Sequence, residues 1–335
     1  MSINKQSIGI IGSGSWATAL VKLLSENKNP IYWYFRSKET ADAVVENKHN
    51  PRYLSDVEFD LDRINISNDI NEVVKNSTYL ILVTPSAFLE SELQKIDQDL
   101  SEKIIFSAIK GIIPKSFLIV GEHLINHYNL PIENFGVITG PCHAEEVALE
   151  RLSYLTIASA TPEHANHIAQ QLKTKYIICN VSEDVIGTEY AAVLKNIYAL
   201  AAGMAHGLGY GDNYQSVLMS NAIKEMNRFI KKRYKMKRNI NDSAYLGDLL
   251  VTGYSLFSRN RTFGNMIGKG YSVNSAKSEL NMIAEGYYAV KSAYTINKNH
   301  DKKQVKTPII NTVYSVLYEG DNPRKAFEKL SAKLK

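Results

Sequence analysis

The chain has 335 residues, of which 44% are hydrophobic and 22% charged, and its formal net charge is +5. These values exclude collagen-like, low-complexity and disordered proteins, and the length favours two domains over one hydrophobic core. The sequence holds no apolar run of the roughly 20 residues that a membrane span needs, and no secretory leader follows Met1. We therefore expect a cytosolic protein without membrane insertion.

The first half alternates short apolar runs with helical patterns, which is typical of βαβ units. The runs lack polar alternation, as parallel strands covered on both faces do. The predicted strands are residues 8–11, 31–35, 79–84, 103–108 and 135–139, extended by 154–159 and 176–180. Residues 1–183 are thus predicted to form a Rossmann-like doubly wound sheet, the α/β part of the chain.

From about Val185 the apolar residues recur with helical spacing. Residues 184–335 are therefore predicted to form an all-α domain that carries the substrate and catalytic groups.

The first predicted strand runs into a glycine-rich turn that matches the pattern G-x-G-x-x-[GA]. Gly12 permits the tight turn, Gly14 lets a pyrophosphate approach the backbone, and Ala17 permits close packing of a helix predicted from Thr18. The amino end of that helix offers free N–H groups and a positive dipole to phosphate. A dinucleotide site is predicted here.

The second predicted strand is followed by Arg36, where many dinucleotide-binding folds carry an acid that reads the ribose. A guanidinium suits a 2′-phosphate, which favours NADP over NAD. Two alternatives stay open: Arg36 is simply solvated at a strand end, or nearby Glu39 binds a 2′-hydroxyl.

Residues 190–203 form a predicted helix that is apolar almost all round, and Lys195 and Asn196 are its only strongly polar side chains. A buried lysine has a lowered pKa and can exchange a proton near neutrality. Lys195 is therefore a candidate acid and base. The alternative is that its ammonium reaches solvent from the helix edge.

Residues 246–264 contain a lone acid, Asp248, and then Ser258, Arg259 and Asn260. A hydroxyl, a guanidinium and an amide in succession match the oxygens of a phosphate, although such a run is also common on surface loops. Glu285 lies early in another predicted helix, where a carboxylate most simply faces the helix dipole.

Two further features carry no catalytic prediction. The cysteines, Cys142 and Cys179, have no metal-ligand spacing, so no metal is expected. The basic run at residues 231–238 is typical either of nucleic-acid binding or of a solvated helix end, and we favour the helix end. No nucleic-acid partner is expected.

Taken in order, the motifs resemble the bacterial form of the NAD(P)-dependent glycerol-3-phosphate dehydrogenases, from about residue 8 to residue 330. The blocks that carry the resemblance are GSGSWATAL at 12–20, NPRYL at 50–54, VTPS at 83–86, AIKGI at 108–112, GPCHAEEVA at 140–148, LKNIYALAAGMAHGLGYGDN at 194–213, GDLLVTGYSLFSRNRTFG at 247–264 and EGYYAV at 285–290. Ala17, Cys142 and Glu145 depart from the usual family pattern.

The resemblance implies reversible reduction of dihydroxyacetone phosphate to sn-glycerol 3-phosphate for glycerophospholipid synthesis. It implies Lys195 as proton donor and acceptor, with Lys110 and Asp248 also catalytic. Further substrate contacts would be Gly140, Cys142, Ser258, Arg259 and Asn260. Cofactor contacts would be Gly12, Ser13, Gly14, Ser15, Trp16, Arg36, Tyr53, Lys110, Ala144, Arg259, Ile283 and Glu285. A homodimer stays open.

Two rival functions are a related reductase for a 2-keto or 3-hydroxy acid and a redox sensor that binds NADPH without turnover. The first predicts a carboxylate instead of a phosphate at Arg259 and Asn260. The second has no need to keep Lys110, Lys195 and Asp248 together.

Overall fold

The computed structural model describes residues 6–27, 29–280, 284–299 and 304–335. Its internal contacts divide the chain into two units. The first comprises residues 1–109 and 120–185, and the second comprises residues 110–119 and 186–335. The sequence pattern did not indicate that residues 110–119 belong to the second unit. Lys110 is therefore part of the second unit.

The first unit is built on one eight-stranded sheet with the order β3-β2-β1-β4-β5-β6-β7-β8. Its strands are β1 Ile8–Ile11, β2 Ile31–Tyr34, β3 Ile64–Ser67, β4 Tyr79–Leu82, β5 Ile104–Ser107, β6 Phe135–Thr139, β7 Ser153–Ser159 and β8 Ile177–Ser182. All pairings are parallel except that of β6 with β7. The predicted α/β class with a Rossmann-like sheet is confirmed.

Helices accompany the strands in the first unit. They are α1 Ser15–Ser25, α2 Lys38–Asn47, α3 Ile70–Asn76, α4 Ser86–Leu93, α5 Val120–Tyr128, α6 Ala144–Ala148 and α7 Pro162–Leu172. Burial of β1 and β4 on both faces explains their unbroken apolar sequences. Helix α1 begins at Ser15, three residues before the predicted start at Thr18, because Gly14 already serves as its N-cap.

In the second unit the described residues form helices and connecting turns but no strand. The helices are α8 Val185–Gly207, which begins at the unit boundary, α9 Asp212–Arg233, α10 Asp248–Tyr254, α11 Arg259–Gly268, α12 Val273–Glu279, α13 Glu285–Lys298, α14 Pro308–Tyr314 and α15 Pro323–Ser331. Among the described residues no helix is long and apolar enough to cross a bilayer.

Glycines let α8 and α11 approach each other at backbone distance. A Cβ added to Gly203 would lie 2.0 Å from the carbonyl oxygen of Arg261, and one on Gly264 would lie 2.1 Å from that of Leu200. No real Cβ tolerates such contacts, so only glycine fits these positions. This crossing fixes the start of α11 relative to the middle of α8, where Lys195 lies.

The core of the second unit contains a buried acid, Glu225 on α9. Both of its carboxylate oxygens accept backbone N–H groups at the start of α14, from Ile309 at 2.9 Å and Ile310 at 3.0 Å. Burial raises the pKa of Glu225 to about 7, and these two hydrogen bonds oppose the rise.

This raised pKa predicts a pH-dependent stability. Between pH 4.5 and 7 the folded chain holds a proton on Glu225 that the unfolded chain has released. The contribution of Glu225 to the free energy of unfolding is therefore full below pH 4.5 and falls by about 3 kcal/mol as the pH rises from 4.5 through 7. The variant Glu225→Gln cannot ionise and should lack this fall.

The measurement is urea unfolding of the wild type and the variant at pH 5 and pH 8. The stability of Glu225→Gln relative to the wild type should rise by about 2 to 3 kcal/mol between the two values. Glu328→Gln, on an exposed position of α15, is the matched control and should give a constant difference. A constant difference for Glu225→Gln as well would contradict the assignment.

Candidate active site

The glycine-rich turn lies at the carboxyl end of β1, next to β4, where the strand order reverses. Open α/β sheets bind their ligands at such a switch point. Gly12 has φ +136°, and a Cβ there would lie 2.9 Å from the backbone of Val83. A Cβ on Gly14 would meet nothing within 4 Å, so the first turn of α1 has open space beside its N–H groups. These features fit the pyrophosphate of a dinucleotide.

Buried side chains hold the turn in place. The indole Nε1 of Trp33 donates to the Gly12 carbonyl at 2.8 Å, and Nδ2 of Asn50 donates to the Ser13 carbonyl at 3.1 Å and to Oγ1 of Thr18 at 2.9 Å. Asn50 is fully buried, and no role was predicted for it from the sequence. Its only signal was its position at the head of the NPRYL block.

The other residues predicted to bind the cofactor from the first unit lie in several places. Arg36 lies two residues after the end of β2, is exposed, and places its guanidinium carbon 5.6 Å from the ring centre of Phe88. A guanidinium beside an aromatic ring at the end of β2 suits an anionic, planar ligand. Ser15 and Trp16 open α1, Tyr53 lies in the loop after α2, and Ala144 opens α6.

Gly140 and Cys142 lie between β6 and α6 in the first unit, and both are buried. Gly140 has φ +119°, and a Cβ there would approach the Tyr154 carbonyl oxygen to 2.7 Å. The glycine is therefore required by the backbone. Among the described residues no cluster of three or more potential metal ligands occurs.

The second unit brings Lys195 and Asp248 together, although they are 53 positions apart in the sequence. Nζ of Lys195 donates a hydrogen bond to Oδ1 of Asp248. The side chains are only 5% and 1% exposed, so this ion pair is shielded from water. Burial in the apolar helix α8, not solvent at a helix edge, is thus the observed environment of Lys195.

Burial lowers the pKa of Lys195 to about 7. Asp248 opposes this shift by favouring the ammonium, whereas the positive charge of Lys110 adds to it. A group with this pKa is present in both protonation states near neutrality. Such a group can both donate and accept a proton.

The neighbours of the pair are themselves held in place. Nδ2 of Asn196 donates to the main-chain carbonyl of Lys110 at 2.8 Å, which ties residues 110–119 to α8 beside Lys195. Oγ1 of Thr252 donates to the Asp248 carbonyl at 2.6 Å and lies 3.5 Å from Oδ1 of Asp248. The sequence analysis predicted no role for Thr252. Its position one helical turn after Asp248 was the available signal.

Ser258, Arg259 and Asn260 lie at the amino end of the ten-residue helix α11. Ser258 is its N-cap and accepts from the N–H of Arg261 at 3.3 Å, while Asn260 accepts from the N–H of Gly286 at 2.9 Å. The Ser258 hydroxyl hydrogen and the Asn260 amide hydrogens are chemically suited to donate, and Arg259 is exposed. Together with the helix dipole, this set suits a phosphate.

Glu285, which was predicted to lie early in a helix, is the first residue of α13, and Gly286 beside it packs at backbone distance from Asn196. Ile283, the remaining predicted cofactor contact, lies outside the described residues. The described residues therefore form two sets: a dinucleotide turn in the first unit, and a buried proton-exchanging pair with an anion-binding helix start in the second. A dehydrogenase dependent on a dinucleotide is the class of protein with these parts.

Comparisons with known proteins agree with this class. Two family models match, described as the N-terminus and the C-terminus of NAD-dependent glycerol-3-phosphate dehydrogenase, over residues 7–165 and 184–328. A glycerol-3-phosphate dehydrogenase [NAD(P)+] from an Exiguobacterium species is 34% identical and aligns with 97% of this chain and 94% of its own length. One of the same name from Clostridium botulinum is 33% identical over 96% of both chains.

Among solved structures, glycerol-3-phosphate dehydrogenase from Coxiella burnetii has a TM-score of 0.88 and 26% sequence identity. The match covers 98% of this chain and 99% of that one. The chain therefore belongs to the NAD-dependent glycerol-3-phosphate dehydrogenase family and is an NAD(P)-dependent oxidoreductase. The family resemblance seen in the sequence is confirmed.

Proposed function

We propose that this protein reversibly reduces dihydroxyacetone phosphate to sn-glycerol 3-phosphate, with Lys195 as the proton donor. The observation that carries the proposal is the buried pair of Lys195 and Asp248, whose lysine has a pKa of about 7. Reduction of a ketone places negative charge on the carbonyl oxygen, which needs a proton at that moment. A lysine that is half protonated near neutrality meets this need and can take the proton back in the reverse direction.

Residues 12–16 would hold NAD(P)H, which would supply a hydride for the carbonyl carbon when bound. Lys195 transfers the proton from Nζ to the carbonyl oxygen, and Asp248 holds the ammonium in place through its hydrogen bond. Lys110 adds a second positive charge that stabilises the developing oxyanion. Its main-chain carbonyl is held by Asn196, so its position relative to α8 is set before substrate binds.

The phosphate of the substrate is proposed to bind Ser258, Arg259 and Asn260 at the start of α11. This contact supplies binding energy remote from the reacting carbon. Gly140 and Cys142 are proposed as further substrate contacts, and a thiol at position 142 is a weak hydrogen-bond donor. The cofactor is proposed to lie on residues 12–16, with Arg36, Tyr53, Lys110, Ala144, Arg259, Ile283 and Glu285 as further contacts.

The test is a steady-state assay of the purified protein with dihydroxyacetone phosphate, followed by the loss of NADPH absorbance. Pyruvate, as a 2-keto acid, and acetoacetate, which tests for a 3-hydroxy acid product, are assayed in parallel. The proposal expects turnover with the phosphorylated ketone at least about a hundredfold above either acid, because the acids lack the phosphate. Faster turnover with an acid would establish the rival reductase, and binding of NADPH without any turnover would establish the sensor.

We further propose that NADPH is preferred over NADH, with Arg36 binding the 2′-phosphate. The support is an exposed guanidinium at the end of β2, beside the ring of Phe88. The variant Arg36→Ala should lower the ratio of kcat/KM for NADPH to that for NADH by about 10- to 100-fold, the usual size of a charge-assisted contact. Lys38→Ala, two residues further on and also exposed, is the matched control. An unchanged ratio in Arg36→Ala would refute this role.

The proposed cellular role is supply of glycerol 3-phosphate for glycerophospholipid synthesis in the cytoplasm. It rests on the proposed reaction, since the product is the phosphorylated backbone of these lipids. A homodimer is also proposed, on the family resemblance alone. Light scattering of the purified protein will give its mass and decide between monomer and dimer.

A further inference from the structure

The strongest concentration of charge in the chain lies outside the proposed active site. Residues 226–241 contain seven lysines and arginines and no acid. Seven positive charges exceed the net charge of +5 of the whole chain, so the remaining residues together are slightly acidic. The net positive charge of the chain is thus concentrated in one segment.

The structure shows where these cations lie. Helix α9 ends at Arg233, and its inner face buries Met226, Phe229 and Ile230 in the core of the second unit. The exposed side carries Arg228 and Lys231, and the loop that follows carries more cations. The segment therefore combines the charged end of a folded helix with the charged loop that follows it.

Two contacts join further lysines to this surface. The guanidinium of Arg233 donates to the Ile296 carbonyl near the end of α13, where Lys298 is exposed. Nε of Arg228 donates to the carbonyl of Lys306 at 3.3 Å, and Lys306 is exposed as well. We call residues 228–238 with Lys298 and Lys306 the basic surface.

Four lysines of the basic surface, Lys231, Lys232, Lys235 and Lys237, have no carboxylate partner among the described residues. Near their centre lies Tyr234, whose side chain is 42% exposed. Clustered lysines around an exposed amphipathic ring suit the interface of an anionic bilayer, where lysine ammonium groups meet lipid phosphates and the ring lies among the headgroups.

We propose that the basic surface docks the protein on membranes rich in anionic phospholipid. A nucleic acid is the other polyanion to consider, but a single-stranded site combines a charged groove with several stacking aromatics, and here Tyr234 is the single exposed aromatic of the segment. Docking is peripheral and leaves the fold intact. It would release the proposed product at the surface where phospholipids are assembled, but binding itself does not depend on that reaction.

The test is flotation of the purified full chain with vesicles of phosphatidylcholine alone and with one part in three phosphatidylglycerol. The wild type should float only with the anionic vesicles, and less so as salt is raised. The triple variant Lys231→Gln, Lys235→Gln and Lys237→Gln should bind about a hundredfold more weakly, while the corresponding triple Lys→Arg variant should bind as the wild type does.

A matched control separates position from net charge. Lys269→Gln, Lys325→Gln and Lys329→Gln remove three exposed lysines elsewhere in the second unit and lower the net charge equally. This variant should float as the wild type does, and all three triple variants should keep wild-type turnover, which verifies that they are folded. Equal loss of flotation in this control and in the Lys231, Lys235 and Lys237 glutamine variant would show that overall charge determines binding. That result would overturn the proposal.

Nucleic acid is tested in parallel with single- and double-stranded 30-base oligonucleotides of random sequence, by gel shift at the same salt concentration. Tighter binding to an oligonucleotide than to anionic vesicles, lost in the Lys231, Lys235 and Lys237 variant, would overturn the membrane assignment. Absence of wild-type flotation would overturn it as well. Loss of dehydrogenase activity would bear only on the proposed reaction, so the two failures are distinguishable.

Discussion

Replacing Lys195 by methionine is expected to lower kcat for reduction of dihydroxyacetone phosphate by about 10² to 10⁴-fold, the range for a removed general acid. Methionine keeps much of the apolar stem within the buried helix α8 but has no proton to give. The affinity for NADPH, measured by fluorescence titration, should be unchanged because the glycine-rich turn is formed by other residues. Lys329→Met, on an exposed position, is the control.

The pH dependence of wild-type kcat/KM is a second test of Lys195 as the proton donor. Reduction needs Lys195 protonated, so kcat/KM for the ketone should fall as the pH rises through about 7, and oxidation of glycerol 3-phosphate should rise over the same interval. Asp248 raises the pKa of Lys195 and Lys110 lowers it. Residual activity in Asp248→Asn should therefore show a lower midpoint and that in Lys110→Met a higher one.

These outcomes can fail in distinct ways. Turnover of Lys195→Met within tenfold of the wild type would remove the lysine from the mechanism. If Lys195→Met lost turnover but the pH midpoints of Asp248→Asn and Lys110→Met equalled that of the wild type, Lys195 would still be essential. The pH dependence would then belong to another group.

Replacing Arg259 by alanine is expected to lower kcat/KM for dihydroxyacetone phosphate by about 10- to 100-fold, mostly through KM. The reason is loss of a charge-assisted contact with the substrate phosphate at the start of α11. Dihydroxyacetone, which has the same ketone but no phosphate, should lose much less than dihydroxyacetone phosphate, because only the proposed cofactor contact of Arg259 bears on its turnover. The comparison of the two ketones therefore isolates the phosphate contact.

Arg261→Ala is the matched control, since Arg261 lies two residues further along the same helix. It should leave unchanged the ratio of kcat/KM for dihydroxyacetone phosphate to that for dihydroxyacetone. Inorganic phosphate should inhibit the wild type competitively and Arg259→Ala far more weakly. If Arg259→Ala lost the same factor with both ketones, Arg259 would act on the cofactor or on the fold and not on the substrate phosphate.

Much of the first unit could be predicted because its signals are local. The buried strands β1 and β4 have nearly unbroken apolar sequences, and seven of the eight strands of the sheet were predicted within two residues of their observed ends. The missed strand, β3 at Ile64–Ser67, lies at the sheet edge with Asn65 exposed, so it lacks the continuous apolar run of its neighbours. An edge strand need not be apolar on both faces.

The candidate site was predictable only in part. Lys195 is conspicuous because its helix is otherwise apolar, and the Ser-Arg-Asn run is conspicuous by its chemistry. Thr252 gave no comparable signal, since a threonine in a helix is ordinary. Asn50 was equally inconspicuous, because its contacts with residues 13 and 18 are formed across more than thirty positions of chain.

By itself the sequence determined what periodicity and local chemistry encode: the parallel strands, the glycine turn, the helical second half and the family. Only the tertiary structure decided which polar groups meet. It paired Lys195 with Asp248 across 53 positions, joined Lys110 to the second unit, and buried Glu225, which looks like a surface residue in its helix. The physical reason is that burial and charge pairing depend on contacts between distant segments, and these contacts set the pKa values on which the proposed chemistry depends.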